Sequence, residues 1–207
     1  MKRLIEIDNW NRKEHYLFFK GFTEPFFGVT VNIDVSQAYA MCQQQGYSFF
    51  LYYLHKALVS ANSIPNFKYR IIDDVLYEFD EVHASPTINR ENGSFGFGYF
   101  TYYPSFVEFA EHAKKEIDRV RSTNTLLPST GADNVLHCSS VPWLQFTSVS
   151  HARPFQVPDS CPKITFGKMF ESHGRQLMPL AVHGHHALMD GWHVAQFIDT
   201  MQAELDK

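Results

Sequence analysis

The 207-residue chain has only three cysteines, Cys42, Cys138 and Cys161, far apart and without CxxC spacing. An odd, dispersed set of this kind indicates neither a disulfide framework nor a thiolate zinc site, and we read all three as small buried residues. No run of Lys and Arg occurs, and the formal net charge is -4. A nucleic-acid surface needs a basic footprint, so nucleic acid and other polyanions are poor partners. No stretch approaches the ~18 apolar residues of a membrane span, and "MKRLIEIDNWNRKEH" lacks the uninterrupted apolar segment of a signal peptide. The expectation is a cytoplasmic protein with no membrane partner. Proline and glycine are scattered singly, and neither a repeat nor a low-complexity tract appears. Residues 1–207 are therefore read as a single domain.

What is present is a ring-rich globular composition: 44% hydrophobic, 15% aromatic and 19% charged, with 19 Phe and 10 Tyr. Such rings serve as core or as pocket walls. The pattern predicts strands at "RLIEID", "FFGVTVNID", "KYRIID", "DVLYEFD", "HASPTINR", "GSFGFGYFTY", "PWLQFTSVS", "KITFGKMF" and "QLMPLAVHGHH". Asp73 and Asp74 mark a hairpin turn. Helical spacing begins in "NWNRKEHYLFFKG", and a helix starts at Asp34 or Ser36 and stops at Gly46. "SFFLYYLHKALVSANS" is apolar nearly all round and hence buried. A longer helix over 104–122 puts Phe106, Phe109, Ala113, Ile117 and Val120 on one stripe, and "DGWHVAQFIDTMQAEL" closes the chain. Strands and helices mix without strict alternation, which predicts an α/β two-layer sandwich, a mixed sheet with helices on one face.

The chemistry concentrates in "HGHHALMDGWHV", residues 183–194, which holds four of the eleven histidines. Period-two alternation puts His183 and His185 on one face of a strand and His186 on the other. His183 and His185, completed by Asp190 or His193, could ligate zinc, although no HExxH or other spaced ligand pair supports a metal. His186 sits where the strand ends, and its imidazole is the one side chain whose ordinary pKa suits proton transfer near neutrality. Asp190 suits a helix N-cap. A hydrogen-bonded polar patch without chemistry is the third reading.

"HHALMDG" matches the HHxxxDG signature of the coenzyme A-dependent acyltransferases. "NWNRKEHYLFF" resembles the W-x-R-x-x-H-F segment of chloramphenicol acetyltransferases, "CSSVPWLQF" their S-x-x-P-W strand and "PKITFGKM" the P-x-I-T-x-x-K strand after it. Order and spacing agree from about residue 5 to the C-terminus, so the chain resembles the chloramphenicol acetyltransferase family along nearly its whole length. The resemblance implies the coenzyme A-dependent acyltransferase fold and an acetyl-CoA-dependent O-acetyltransferase without a metal, acting as a homotrimer with active sites between subunits.

Residue by residue, it implies that His186 is the general base and that Ser139 hydrogen-bonds the oxyanion of the tetrahedral intermediate. Thr165 holds an ordered water against that intermediate, Lys168 approaches coenzyme A, and Asp190 forms a buried salt bridge with Arg12 that shapes the active-site turn. In the acceptor pocket Phe19 stands where drug-acetylating members have a tyrosine, and Phe95 keeps an expected aromatic. His151 replaces an apolar residue and Phe97 a small one. Chloramphenicol is the first expected acceptor and another hydroxyl compound the second. A zinc-dependent enzyme using His183 and His185 and a non-catalytic ligand-binding trimer are the remaining alternatives.

Overall fold

The computed structural model describes residues 1–153 and 159–207. In chain order the elements are β1 (Lys2–Leu4), a 3-10 turn (Ile7–Asn9), α1 (Lys13–Phe19), β2 (Phe26–Asp34), α2 (Ser36–Gln45), α3 (Phe49–Ser63) and α4 (Pro65–Lys68). They continue with β3 (Tyr69–Ile72), β4 (Val75–Phe79), β5 (His83–Asn89), β6 (Phe95–Phe97), α5 (Phe106–Ser122) and β7 (Val135–Ser140). The last are β8 (Lys163–Phe166), β9 (Phe170–Ser172), β10 (Arg175–His185) and α6 (Gly191–Leu205). Among the described residues no helix is long and apolar enough to cross a membrane.

The main sheet has seven strands in the order β2-β10-β8-β7-β5-β6, with β9 also on β10. The β5–β7 and β7–β8 pairs are parallel and the others antiparallel, so the sheet is mixed as expected. Beside it lies a small antiparallel sheet, β1-β4-β3, where the sequence pattern predicted a single sheet. Its hairpin turns at Asp73 and Asp74, both at positive φ (50° and 60°), the mirror-image turn whose twist suits two flanking strands.

Register separates the two faces of the main sheet. Cys138, Ile164, Val182 and Val29 stand side by side, as do Phe166, Leu180 and Val31, and this apolar face is covered by α2, α3, α5 and α6. The opposite face carries His137, Lys163, His183 and Gly28 in one row and Ser139, Thr165, Ala181 and Thr30 in the next. Helix α3 is buried nearly all round, from Leu51 to Ala61, and the Ser48 hydroxyl accepts the Leu51 N–H at its start. Helix α5 buries Phe109, Ala113 and Val120, with Phe106 and Ile117 half-buried along the same stripe.

Three strand predictions are corrected. Residues 142–150 form no strand; Pro142 has no N–H to offer a ladder, and the strand is β7, just before it. The segment 163–170 is interrupted after Phe166, because the Gly167 N–H bonds the Pro179 carbonyl and the Lys168 N–H the Leu144 carbonyl, both at 2.8 Å. In 93–102 only Phe95–Phe97 is strand, joined by a bridge between Ala84 and Phe100.

Arg70 ties the small sheet to the large one. It is 1% exposed, and its guanidinium donates to the carbonyls of Asp133 (2.9 Å), Phe67 (2.9 Å), Tyr69 (2.6 Å) and Val135 (2.7 Å). Burial depresses its pKa, but four carbonyl dipoles take the place of a carboxylate. Arg70→Met would leave those carbonyls unpaired in the interior, at roughly 1–3 kcal/mol for each one that water cannot reach. We expect a loss of about 3–5 kcal/mol in urea unfolding, and Arg70→Lys, with a single nitrogen, to recover only part of it.

Candidate active site

Strand β10 ends at His185, and the chain turns through Ala187, Leu188 and Met189, all buried, into Asp190. The turn closes by Leu188 and Met189 N–H bonds to the His185 carbonyl (2.9 and 3.1 Å). Gly184 makes room for the Met189 side chain, which a Cβ there would displace. Asp190 caps α6 by accepting the Trp192 N–H at 3.0 Å, and His193 Nδ1 lies 3.2 Å from the Asp190 backbone nitrogen and 2.9 Å from its Oδ1.

Arg12, 7% exposed, clamps both ends of this turn: Nη1 donates to Asp190 Oδ2 at 2.6 Å and Nη2 to the His186 carbonyl at 3.4 Å. Burial pushes the Asp190 pKa up, but the Arg12 hydrogen bond, the neighbouring His193 and the Trp192 N–H together bring it below the ordinary carboxylate value. The clamp presents the His186 ring, which stacks on Phe19 (centroids 4.1 Å, planes 4° apart) and packs against Phe27 (4.7 Å, 41°). Its backbone N–H bonds the Pro25 carbonyl at 2.8 Å. His186 Nδ1 is shut away without a hydrogen-bond partner among the described residues. Phe19, expected as an acceptor contact, here supports the imidazole itself.

His185 is turned the other way. It is 5% exposed, packs edge-on to Phe26 (5.5 Å, 70°) and accepts the Ala187 N–H on Nδ1 at 3.2 Å. Burial pushes its pKa down to about 4. This is a neutral, structural imidazole.

A second set of residues lies elsewhere on the sheet. Ser139 and Thr165 are directly paired across β7 and β8 on the polar face, and Thr165 is 1% exposed with Oγ1 3.3 Å from His151 Nε2. Thr165 pairs in turn with Ala181 of β10. Two inter-strand steps of about 4.8 Å and five residues at about 3.3 Å put the Cα of His186 on the order of 20 Å from that of Ser139. One chain therefore does not bring Ser139 and His186 to the same reacting atom. Phe95, 44% exposed, is farther still, on edge strand β6.

On the helix side of the sheet a groove of about 900 Å³ runs between α3, α5 and the strands. Phe49, Phe50, Tyr53, Phe106, Met169 and Met178 line it, with Lys114 and Arg121 at its rim. It reaches Ser140, whose hydroxyl is 2.9 Å from the Tyr53 hydroxyl. Lys168 is exposed between Gly167 and Met169, which both line the groove.

Among the described residues His183 and His185 gain no third ligand. The one group of three potential metal ligands among the described residues is His137, Asp159 and Cys161. There the Lys163 ammonium already neutralises Asp159, at 2.5 Å. Sequence reasoning missed Phe27 and Pro25 at the imidazole; both sit on a strand or loop more than 150 positions away, and no local signal marks them.

The chloramphenicol acetyltransferase family model matches residues 2–202. Chloramphenicol acetyltransferase of Proteus mirabilis is 26% identical over 205 residues, covering 99% of this chain and 94% of its own. Chloramphenicol acetyltransferase 2 of Escherichia coli is 26% identical over 98% of this chain and 96% of its own. A solved chloramphenicol acetyltransferase superposes with a TM-score of 0.91 at 31% identity, over 99% of this chain and 100% of that one. The dihydrolipoamide acetyltransferase of Azotobacter vinelandii, at 16% identity and a TM-score of 0.71 over 100% of this chain and 90% of that one, shares the fold. The polar strand face, the clamped turn after β10 and these similarities agree: the chain belongs to the chloramphenicol acetyltransferase family and is an acyltransferase.

Proposed function

We propose that the protein transfers the acetyl group of acetyl-CoA to a hydroxyl acceptor, with His186 as general base. The observation that carries this reading is the His186 ring, stacked on Phe19 at the end of β10 on a turn that Arg12 holds by Asp190 and by the His186 carbonyl. Nε2 takes the proton from the acceptor hydroxyl as its oxygen attacks the thioester carbonyl. The Ser139 hydroxyl donates to the oxyanion so formed, and Thr165 beside it holds a water against the intermediate. Collapse breaks the carbon–sulfur bond, and the imidazolium returns its proton to the thiolate.

The groove supports a place for the coenzyme: its walls are largely apolar, as a pantetheine arm requires, and Lys114 and Arg121, beside Glu111 and Asp118, lie along it, with Lys168 between two of its wall residues. The acceptor then meets the thioester from the polar face. The roughly 20 Å between Ser139 and His186 in one chain supports a homotrimer in which His186 of one subunit faces Ser139 of the next. Exposed Phe18, Phe22, Trp143 and Trp192 are apolar surface that such an assembly would cover. Chloramphenicol is the first acceptor to test. A different hydroxyl compound is favoured by Phe19, which has no hydroxyl to offer, and by His151 in the pocket.

Thiol release from acetyl-CoA with chloramphenicol present is expected to fall ~10²–10⁴-fold in His186→Ala, with groove binding of coenzyme A retained; equal rates would refute His186 as the base. His185→Gln should lose stability more than turnover, because its ring is buried against Phe26. Unfolding and reassembling His186→Ala with Ser139→Ala chains should restore activity that neither parent has, and mixed oligomers without activity would refute a shared site. Asp190→Ala removes both a cap and the partner of a buried guanidinium, and should cost about 3 kcal/mol of stability. The lowered Asp190 pKa means that its contribution is present above about pH 4 and lost as pH falls through the folded-state value. The mutant's stability deficit, followed by urea unfolding, should accordingly shrink in acid.

A further inference from the structure

The turn that carries His186 is held by a further side chain, from a part of the chain 122 positions away. Asn66, buried in α4, donates from Nδ2 to the Leu188 carbonyl at 2.7 Å. A carbonyl oxygen only accepts, so the nitrogen is the end of the amide that faces it. Leu188 is itself buried, two residues beyond His186. Of the side-chain bonds to the backbone of residues 186–190 among the described residues, this is the shortest. Arg12 reaches the His186 carbonyl at 3.4 Å, and the Ala187 and Asp190 N–H groups meet His185 and His193 Nδ1 at 3.2 Å each.

Both ends of the bond are anchored. Phe67, next to Asn66, stacks on Phe197 of α6 (centroids 4.8 Å, planes 23° apart), and its carbonyl accepts the Arg70 guanidinium at 2.9 Å. At the other end the Leu188 side chain packs with Tyr16, Leu76 and Ala187, and Phe19 rests against the same cluster. Leu188 thus supports both partners of the stack: it continues the backbone of His186, and it belongs to the cluster on which Phe19 lies. Without its donor the Leu188 carbonyl would be a buried acceptor with no partner, which favours a turn rotated toward water. The imidazole two residues away would move with it. No residue of α4 lines the coenzyme groove, so the contact bears on the placing of the base and not on binding of the donor.

We propose that Asn66 is a positioning residue for acetyl transfer, which holds the Leu188 carbonyl and through it keeps the His186 imidazole stacked on Phe19. The proposal rests on the reading of His186 as general base.

Two measurements test it together: turnover of acetyl-CoA with chloramphenicol, and the Hε1 nuclear magnetic resonance of His186, identified by its loss in His186→Ala. In the wild-type protein the Phe19 ring should displace that resonance from the position of an exposed histidine. Asn66→Leu keeps the approximate size and removes the donor. It should return the resonance toward the exposed position and lower kcat about tenfold to a hundredfold, as a misplacement of about an ångström does, with both KM values unchanged. Asn66→Gln, which retains an amide donor, should recover part of both. If Asn66→Leu does not fold, Asn66→Ser leaves room for a water at the carbonyl and should show the same two changes. A folded variant without the donor that matches the wild type in resonance and kcat would overturn the proposal. A lower kcat with the resonance unmoved would make Asn66 structural only, and overturn it as well. A displaced resonance with kcat unchanged would overturn it if His186→Ala is inactive. With an active His186→Ala protein, the same result would uphold the placing of the ring and overturn the general-base reading. The resonance is read without turnover, so it decides where the ring stands whatever the acceptor.

Discussion

A β-strand sends successive side chains to opposite faces, and in β7, β8 and β10 that alternation separates cohesion from chemistry. Cys138, Ile164 and Val182 point into the helices, while Ser139, Thr165 and His183 point away. Each polar group is therefore one residue from the core, on a backbone that core packing holds rigid. A one-residue slip of β8 against β10 would bury Lys163 and Thr165 under α3 and expel Ile164 and Phe166. The apolar face fixes the register, and through it the position of every polar group on the other side.

Among the described residues, buried charge is placed where hydrogen bonds surround it. Arg70 meets four carbonyls. Arg12 meets Asp190 and the His186 carbonyl, Lys163 meets Asp159, and Lys56 meets Glu204 at 3.0 Å. Except for Lys163 and Asp159, four positions apart, the donor joins parts of the chain that are not neighbours, so the pair specifies geometry as well as contributing energy. The Arg12 clamp is the clearest example: it bridges 178 positions and sets where the imidazole at 186 stands. Buried ion pairs are weak stabilisers in net terms, since desolvation opposes them. Their value here is in fixing one conformation of the turn.

The histidines illustrate how environment divides one residue type into roles. His185 and His186 are adjacent, yet the first is buried beside Phe26 with its pKa pushed to about 4 and the second is stacked on Phe19 at the strand's end. His193 serves the cap of α6. His151, in the segment between β7 and β8, meets the His183 ring of β10 on the polar face, 32 positions away in sequence.

Periodicity alone was enough for the helices α3, α5 and α6, for β2 and β10 and for the hairpin at Asp73 and Asp74, because each depends on contacts within a few residues. It failed at 142–150 and at 166–170, where Pro142 and the hydrogen bonds of Gly167 and Lys168 to distant carbonyls decide the path. The motif residues Arg12, Ser139, Thr165, His186 and Asp190 were legible by resemblance, whereas their composition and spacing left a metal site and an inert patch open. Only the tertiary structure decided which of them meet. It joins Arg12 to Asp190, sets Phe19 against His186, and leaves Ser139 about 20 Å from His186 in the same chain. Local propensity is written in neighbouring residues, but proximity across the sheet depends on strand order and register, and these are settled only when the apolar faces of the whole chain pack together.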